Sequence, residues 1–256
     1  MAVARTSTTE YLPLILRTAL VIGIFVVVEI LISLGWLNRF IIPYPSDIAM
    51  ALYRVIAEEG VVGYFMLTVG EMAAAAAGLI IIGIPFGVLL ARRNILWRAW
   101  GDWIAGSAAA PLVLLYPLFL VIFGRSALTI IMIALITGLP PVIIKTVEGV
   151  NSVRKVLLDV GRSFNLSDRQ LFWKIMLPAS LPAIFLGLRL GLIYVMITVV
   201  AVEYLINIGG LGNLVGELAE RYDLAATYAV VGFVIAASVL FFVFLERLER
   251  WLKLSV

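Results

Sequence analysis

Four ionisable side chains, Glu29, Glu71, Arg189 and Glu203, stand inside or at the ends of long apolar runs in a chain of 256 residues. A charge at membrane depth costs at least about 2.5 kcal/mol unless it is paired or reaches water, so each is a candidate for solute passage, gating or an internal ion pair. Glu29 and Glu203 fall in the outer parts of their runs, and Glu71 is placed similarly, where interfacial water is the alternative partner. Arg189 lies about two turns into its run, from which its side chain can snorkel to the interface or pair with an acid. Tyr116, Tyr194 and Met196 suit the wall of a solute path and equally suit ordinary helix packing. The sequence contains no Cys and no His, which removes disulfides, thiolate nucleophiles, imidazole bases and the usual zinc ligands. With no recognisable acid pair either, an intramembrane enzyme has little to work with.

A second concentration of polar chemistry lies between Lys145 and Pro178, a segment too polar to span a membrane and too patterned to be a plain linker. Val153, Val156, Leu157, Val160 and Phe164 recur at helical spacing, with Arg154, Lys155, Asp159 and Arg162 on other sides, which predicts a short amphipathic helix. A second helix is predicted from Ser167 as N-cap and Asp168 in the first turn, with Leu171, Phe172 and Ile175 as its apolar side. Asn165 separates the two and tolerates the left-handed backbone of a sharp turn. Such a pair can lie on lipid, pack on its own chain or dock a partner.

These residues need apolar elements to hold them. Hydrophobic residues make up 63% of the chain and charged ones 14%, against roughly 45–50% and about 25% in soluble domains. Runs long enough to span a bilayer occur at Leu14–Leu37, Thr68–Ala91, Trp103–Phe123, Ala127–Ile144, Ser180–Ile206 and Ala225–Leu245, which predicts an all-α polytopic membrane protein with six transmembrane helices in one domain, 1–256. With both termini on the cytoplasmic side, fourteen of the nineteen Lys and Arg residues fall inside, Arg5, Arg17 and Lys253 among them; Arg39, Arg54, Arg125 and Arg221 fall on the opposite face. The N-terminus has no small-residue cleavage site after a short apolar core and reads as retained. Gly83-x-x-x-Gly87 and Gly187-x-x-x-Gly191 suit close helix packing, and Pro111, Pro117, Pro140 and Pro141 mark possible kinks. The basic residues form short clusters between apolar runs, so they read as topology signals and exclude nucleic-acid binding.

The segment from Asp159 to Pro178 resembles the cytoplasmic loop of permease subunits of ATP-binding-cassette (ABC) importers, whose pattern is Glu-Ala-Ala, three residues, Gly, nine residues, Ile, one residue, Leu-Pro. Asp159, Val160 and Gly161 stand at the first three positions, Asn165 at the Gly, and Ile175, Leu177 and Pro178 match the ending; the shortened acid, both replaced alanines and Asn165 are departures. The resemblance covers most of the chain and is nearest to permeases of the nitrate, sulfonate and taurine type. Pro43-Tyr44-Pro45-Ser46-Asp47, Pro111 with Pro117-Leu118 and Phe123-Gly124, Gly187-Leu188-Arg189, and Glu203 with Gly210-Leu211-Gly212 resemble further family segments. Glu71 departs, standing where many relatives carry a basic residue.

The resemblance implies a type I importer fold in the bacterial inner membrane. It implies that 145–178 is a coupling loop whose Asp159, Gly161, Phe164, Asn165, Leu166 and Phe172 dock an ATPase. Tyr116, Arg189, Tyr194 and Glu203 would then belong to the translocation path or its gate. The implied partners are a second copy of the chain, two ABC ATPase subunits that bind ATP and Mg, and an external or periplasmic solute-binding protein, with no cofactor on this chain. The implied solute is a small organic or inorganic anion such as a sulfonate, taurine or nitrate. The chain has no Gly-x-x-x-x-Gly-Lys-Ser/Thr phosphate loop, which agrees with an energy source on another chain. A partner-independent secondary transporter or channel is the alternative.

Overall fold

The computed structural model describes residues 8–251. Arg5 and Lys253 of the topology argument lie outside the described residues, as does the side chain of Arg17. The described chain is helical throughout, with no strand: α1 (Thr8–Ser33), α2 (Pro45–Ala57), α3 (Val61–Gly78), α4 (Ile84–Arg92), α5 (Asn94–Ala109), α6 (Tyr116–Phe123), α7 (Ala127–Asn151), α8 (Lys155–Ser163), α9 (Asp168–Leu171), α10 (Leu177–Ile206), α11 (Gly210–Glu220) and α12 (Leu224–Trp251). A π-helical turn at Leu79–Gly83 joins α3 to α4, and another at Phe172–Met176 joins α9 to α10.

Four of the six apolar runs become helices long and apolar enough to cross a membrane: Val61–Arg92, Ala127–Asn151, Asp168–Ile206 and Leu224–Trp251. The run expected at Trp103–Phe123 is instead broken. α5 and the Leu112–Phe123 segment meet at 92°, and counting that pair as one gives five spans. The cause is local: Pro111 cannot donate to a helical ladder, and its ring forces the preceding Ala110 into an extended conformation (φ −76°, ψ 141°). The first run ends as α1 at Ser33, before Gly35 turns the chain at φ +76°; its described apolar part, Thr18–Ser33, is shorter than a full span.

The chain divides into two compact units, Met1–Val61 with Val215–Phe233, and Val62–Leu214 with Val234–Val256. In the first, Glu29 of α1 receives both the backbone N–H (3.2 Å) and the hydroxyl (2.8 Å) of Ser46, which satisfies donors in the opening turn of α2. Arg54 pairs with Asp223 at 2.6 Å and Arg221 with Glu59 at 3.3 Å.

In the second unit α7 is the central helix, with α4, α5 and α10 packed on it. Both glycine pairs read from the sequence meet this one helix. A Cβ on Gly87 would stand 2.7 Å from the Thr146 side chain, and one on Gly191 would stand 2.7 Å from Val142 and 2.8 Å from the Gly138 carbonyl. Lipid gives helices no hydrophobic drive to associate, so this backbone approach supplies the dispersion contacts instead. Leu79, Ile130, Ile133, Val142, Val195 and Val199 close the core around it.

Candidate functional site

The loop between α7 and α10 is built as two short helices, in the places the spacing predicts. Ser167 caps α9 through a reciprocal arrangement: the Gln170 amide donates to Ser167 Oγ (3.4 Å) while the Ser167 amide donates to Gln170 Oε1 (3.0 Å). Asn165 sits at φ 54° between the helices, and the Leu166 amide reaches back to the Gly161 carbonyl at 3.2 Å. Gly161 is buried; a Cβ there would stand 2.5 Å from Leu171 Cδ1 and 2.6 Å from Ile175 Cδ1. The absence of a side chain thus lets α8 lie directly on the π-helical turn.

This seating sorts the loop residues expected to dock a partner. Phe164 (76% exposed), Val156 (70%) and Val160 (48%) present an apolar surface to solvent. Asp159 is exposed and pairs with Arg162 at 3.2 Å, an exposed contact of little net value. Asn165 is exposed and Leu166 is half-buried. Phe172 is different: it is buried, with the Arg92 guanidinium 5.1 Å from its ring centre. Its ring therefore holds the loop against the end of α4 and is no outward docking contact. Helical spacing already places Phe172 with Leu171 and Ile175 on one apolar side, and it is this side that the chain itself covers; the docking role came from the resemblance alone. Trp173, 60% exposed, lay outside the expected set; its signal was a third aromatic residue, after Phe164 and Phe172, in a polar segment.

Far along α10, Glu203 is fully buried rather than solvated at an interface. Its carboxylate accepts from the Thr68 hydroxyl (2.7 Å) and from the Gly212 amide (2.9 Å), and the Leu211 amide donates to Thr68 Oγ1 (2.9 Å). Two of the orphan N–H groups that open α11 are satisfied in this way, and the carboxylate sits at the positive end of that helix. Gly210, at φ +82°, leaves the space the carboxylate fills. Glu71, one turn beyond Thr68 on α3, lies against Glu203; its Oε2 is buried and has no hydrogen-bond partner among the described residues. Thr68 was not among the sequence candidates, whereas Gly210-Leu211-Gly212 was read together with Glu203.

Arg189 pairs with an acid: its Nη1 is 3.0 Å from Glu249 Oε2 on α12, and its guanidinium lies 4.5 Å from the ring centre of Phe242. Tyr116 packs against the core and Tyr194 is 43% exposed, while Met196 is half-buried on the same helix. Arg189 and Glu203 are about 21 Å apart along α10 at 1.5 Å per residue, so the four expected path residues do not converge on one site.

The family described as "Binding-protein-dependent transport system inner membrane component" matches residues 83–254. Over 228 residues the chain is 27% identical to the glycine betaine/proline betaine transport system permease protein ProW of Escherichia coli, covering 81% of this chain but 64% of that protein, so it spans less than two thirds of that relative's length. It is 27% identical over 246 residues to the putative aliphatic sulfonates transport permease protein SsuC of Escherichia coli, covering 91% of this chain and 89% of the relative. Its fold is similar to a chain of the MetNI methionine ABC transporter solved in inward-facing conformations, with TM-score 0.65, 18% identity, and coverage of 77% of this chain and 96% of that one.

Proposed function

This chain belongs to the family of binding-protein-dependent transport system inner membrane components, and from that premise we propose that it is the permease subunit of an ATP-driven importer of small solutes. It passes the solute; a separate ABC ATPase binds ATP and Mg and hydrolyses it. The observation that carries this reading is the apolar surface of Val156, Val160 and Phe164, held out on α8 by the contact of Gly161 with Leu171 and Ile175. Exposed apolar side chains on a rigid support, flanked by Arg154, Lys155 and Arg162, suit insertion into a groove on a soluble partner.

The working assembly is two copies of this chain, two ATPase subunits and an external solute-binding protein, with the loop and both termini on the cytoplasmic side. The solute is a small anion of the sulfonate, taurine or nitrate kind, which the similarity to SsuC supports; the similarity to ProW makes betaines the competing class. Co-expression with the ATPase and binding protein of its own transport system, followed by reconstitution in liposomes, tests both points. ATP-dependent uptake of a sulfonate, taurine or nitrate is the expected result. Uptake driven by an ion gradient through the chain alone would sink the importer reading, and uptake of glycine betaine but no anion would replace the solute class.

A further inference from the structure

The loop and α10 form one continuous helical path. α9, the π turn and α10 run without interruption from Asp168 to Ile206, so no non-helical residue separates the loop from α10. Arg189, about 16 Å beyond Pro178 at 1.5 Å per residue, is where that path meets the last helix. Its charge is satisfied by Glu249 at 3.0 Å, and its flat guanidinium faces Phe242; both partners are on α12. The two ionic side chains are 22% and 17% exposed.

Beyond this point the helices part. A cleft of ≈ 540 Å³, open to the surface on one side where Ile197 and Val239 are exposed, lies between them, lined also by Ile193 and Val200 of α10 and by Val234 and Ser238 of α12. The one hydroxyl in that set, on Ser238, donates to the Val234 carbonyl of its own helix at 2.7 Å. The cleft wall therefore joins α10 and α12 by no polar contact of its own; Phe241 of α12 packs against the core around Val195 and Val199, and the Arg189 cluster is the polar joint between the two helices. A partly buried ion pair adds little net stability over apolar packing, but it specifies one arrangement and depends wholly on both members. Arg189 stands inside its apolar run, where a charge is a functional candidate.

We propose that the Arg189–Glu249 pair, with Phe242 against the guanidinium, is the mechanical joint that makes α12 follow α10 when the loop is moved, the open cleft beside it narrowing as the two helices close. This rests on the permease reading above. Arg189 and Glu249 are positioning residues in it: neither is asked to touch solute.

The test uses the full complex with its ATPase and binding protein in liposomes, measuring uptake and ATP hydrolysis in the same preparation. Glu249→Gln is expected to lower solute moved per ATP hydrolysed by about tenfold, with hydrolysis itself within about twofold of the parent. The charge exchange Arg189→Glu with Glu249→Arg is expected to restore most of that ratio. Uptake and hydrolysis falling in proportion, or an unchanged ratio, would overturn the joint, as would an exchange variant that assembles yet stays uncoupled. If Glu249→Gln does not assemble, cysteines placed at Ile197 and Val239 in the otherwise cysteine-free chain decide the matter. Cross-linking whose yield changes between nucleotide-free and ATP-trapped complex supports closure of the cleft, and equal yields overturn it. Parent complex without any ATP-dependent uptake would overturn the permease reading and this joint with it; a working parent with indifferent variants overturns the joint alone.

Discussion

The hydroxyl of Thr68 stands 2.7 Å from Glu203 Oε1, and because it also accepts the Leu211 amide at 2.9 Å, a single side chain on α3 joins the end of α10 to the first turn of α11. Thr68→Val keeps the shape and removes both contacts, leaving a buried amide and a carboxylate oxygen short of a partner at a cost of about 1–3 kcal/mol each. A lower unfolding temperature in detergent is expected for Thr68→Val, with Thr68→Ser close to the parent. Equal temperatures for all three would show that the cluster contributes nothing to holding these helices.

Gly210→Ala should be worse than its size suggests. The added Cβ collides with the Glu203 carboxylate, and the φ of +82° is itself unfavourable to any residue with a side chain. Removing the acid in the double variant Gly210→Ala, Glu203→Ala clears the collision but keeps the backbone strain and loses the cap. The double variant is therefore expected to remain destabilised, read as yield of monodisperse protein after extraction; full recovery would show that the collision was the whole effect.

Phe164 and Phe172 should separate docking from folding. Phe164→Asp is expected to release a co-purified ATPase while leaving thermal stability near the parent, since the ring is 76% exposed. Phe172→Ala removes a buried ring and should cost about 3 kcal/mol or more. Pull-down and thermal unfolding on the same two variants check this, and the reverse pattern would mean that the loop presents its other face.

Close approach to α7 predicts a sharp contrast among glycines. Gly87→Leu and Gly191→Leu each drive a side chain into atoms under 3 Å from the new Cβ, whereas Gly70 has nothing within 4 Å. Overpacking of this kind costs about 1–3 kcal/mol or more. Gly70→Leu should therefore express and unfold like the parent while the other two do not.

The absence of cysteine makes orientation directly measurable. Single cysteines at Phe164 and at Tyr222, which is 87% exposed, are expected to react with a membrane-impermeant thiol reagent from opposite faces of oriented vesicles, Phe164→Cys from the cytoplasmic side. Labelling of both from one side would contradict the positive-charge argument.

The lengths of the apolar runs, the lopsided Lys and Arg distribution and the spacing Asp159–Asn165–Pro178 are one-dimensional properties, and they determined without coordinates that the chain is helical, belongs in a membrane and carries a two-helix loop. A bilayer asks only for enough consecutive apolar length, and amphipathicity only for period, so sequence suffices for both. It did not reveal that Pro111 breaks its run at 92° rather than bending it, because that depends on what surrounds the freed backbone. Nor could it tell that the apolar side with Phe172 is covered by the chain itself, under Arg92, while Phe164 stays exposed, since helical period gives a face and not what lies on it. The partners of the membrane-depth charges were likewise decided only by tertiary structure. Thr68 is 135 residues from Glu203, and Glu249 is 60 residues from Arg189. A lone charge in an apolar run announces that it must be paired, and only the packing of distant helices says with what.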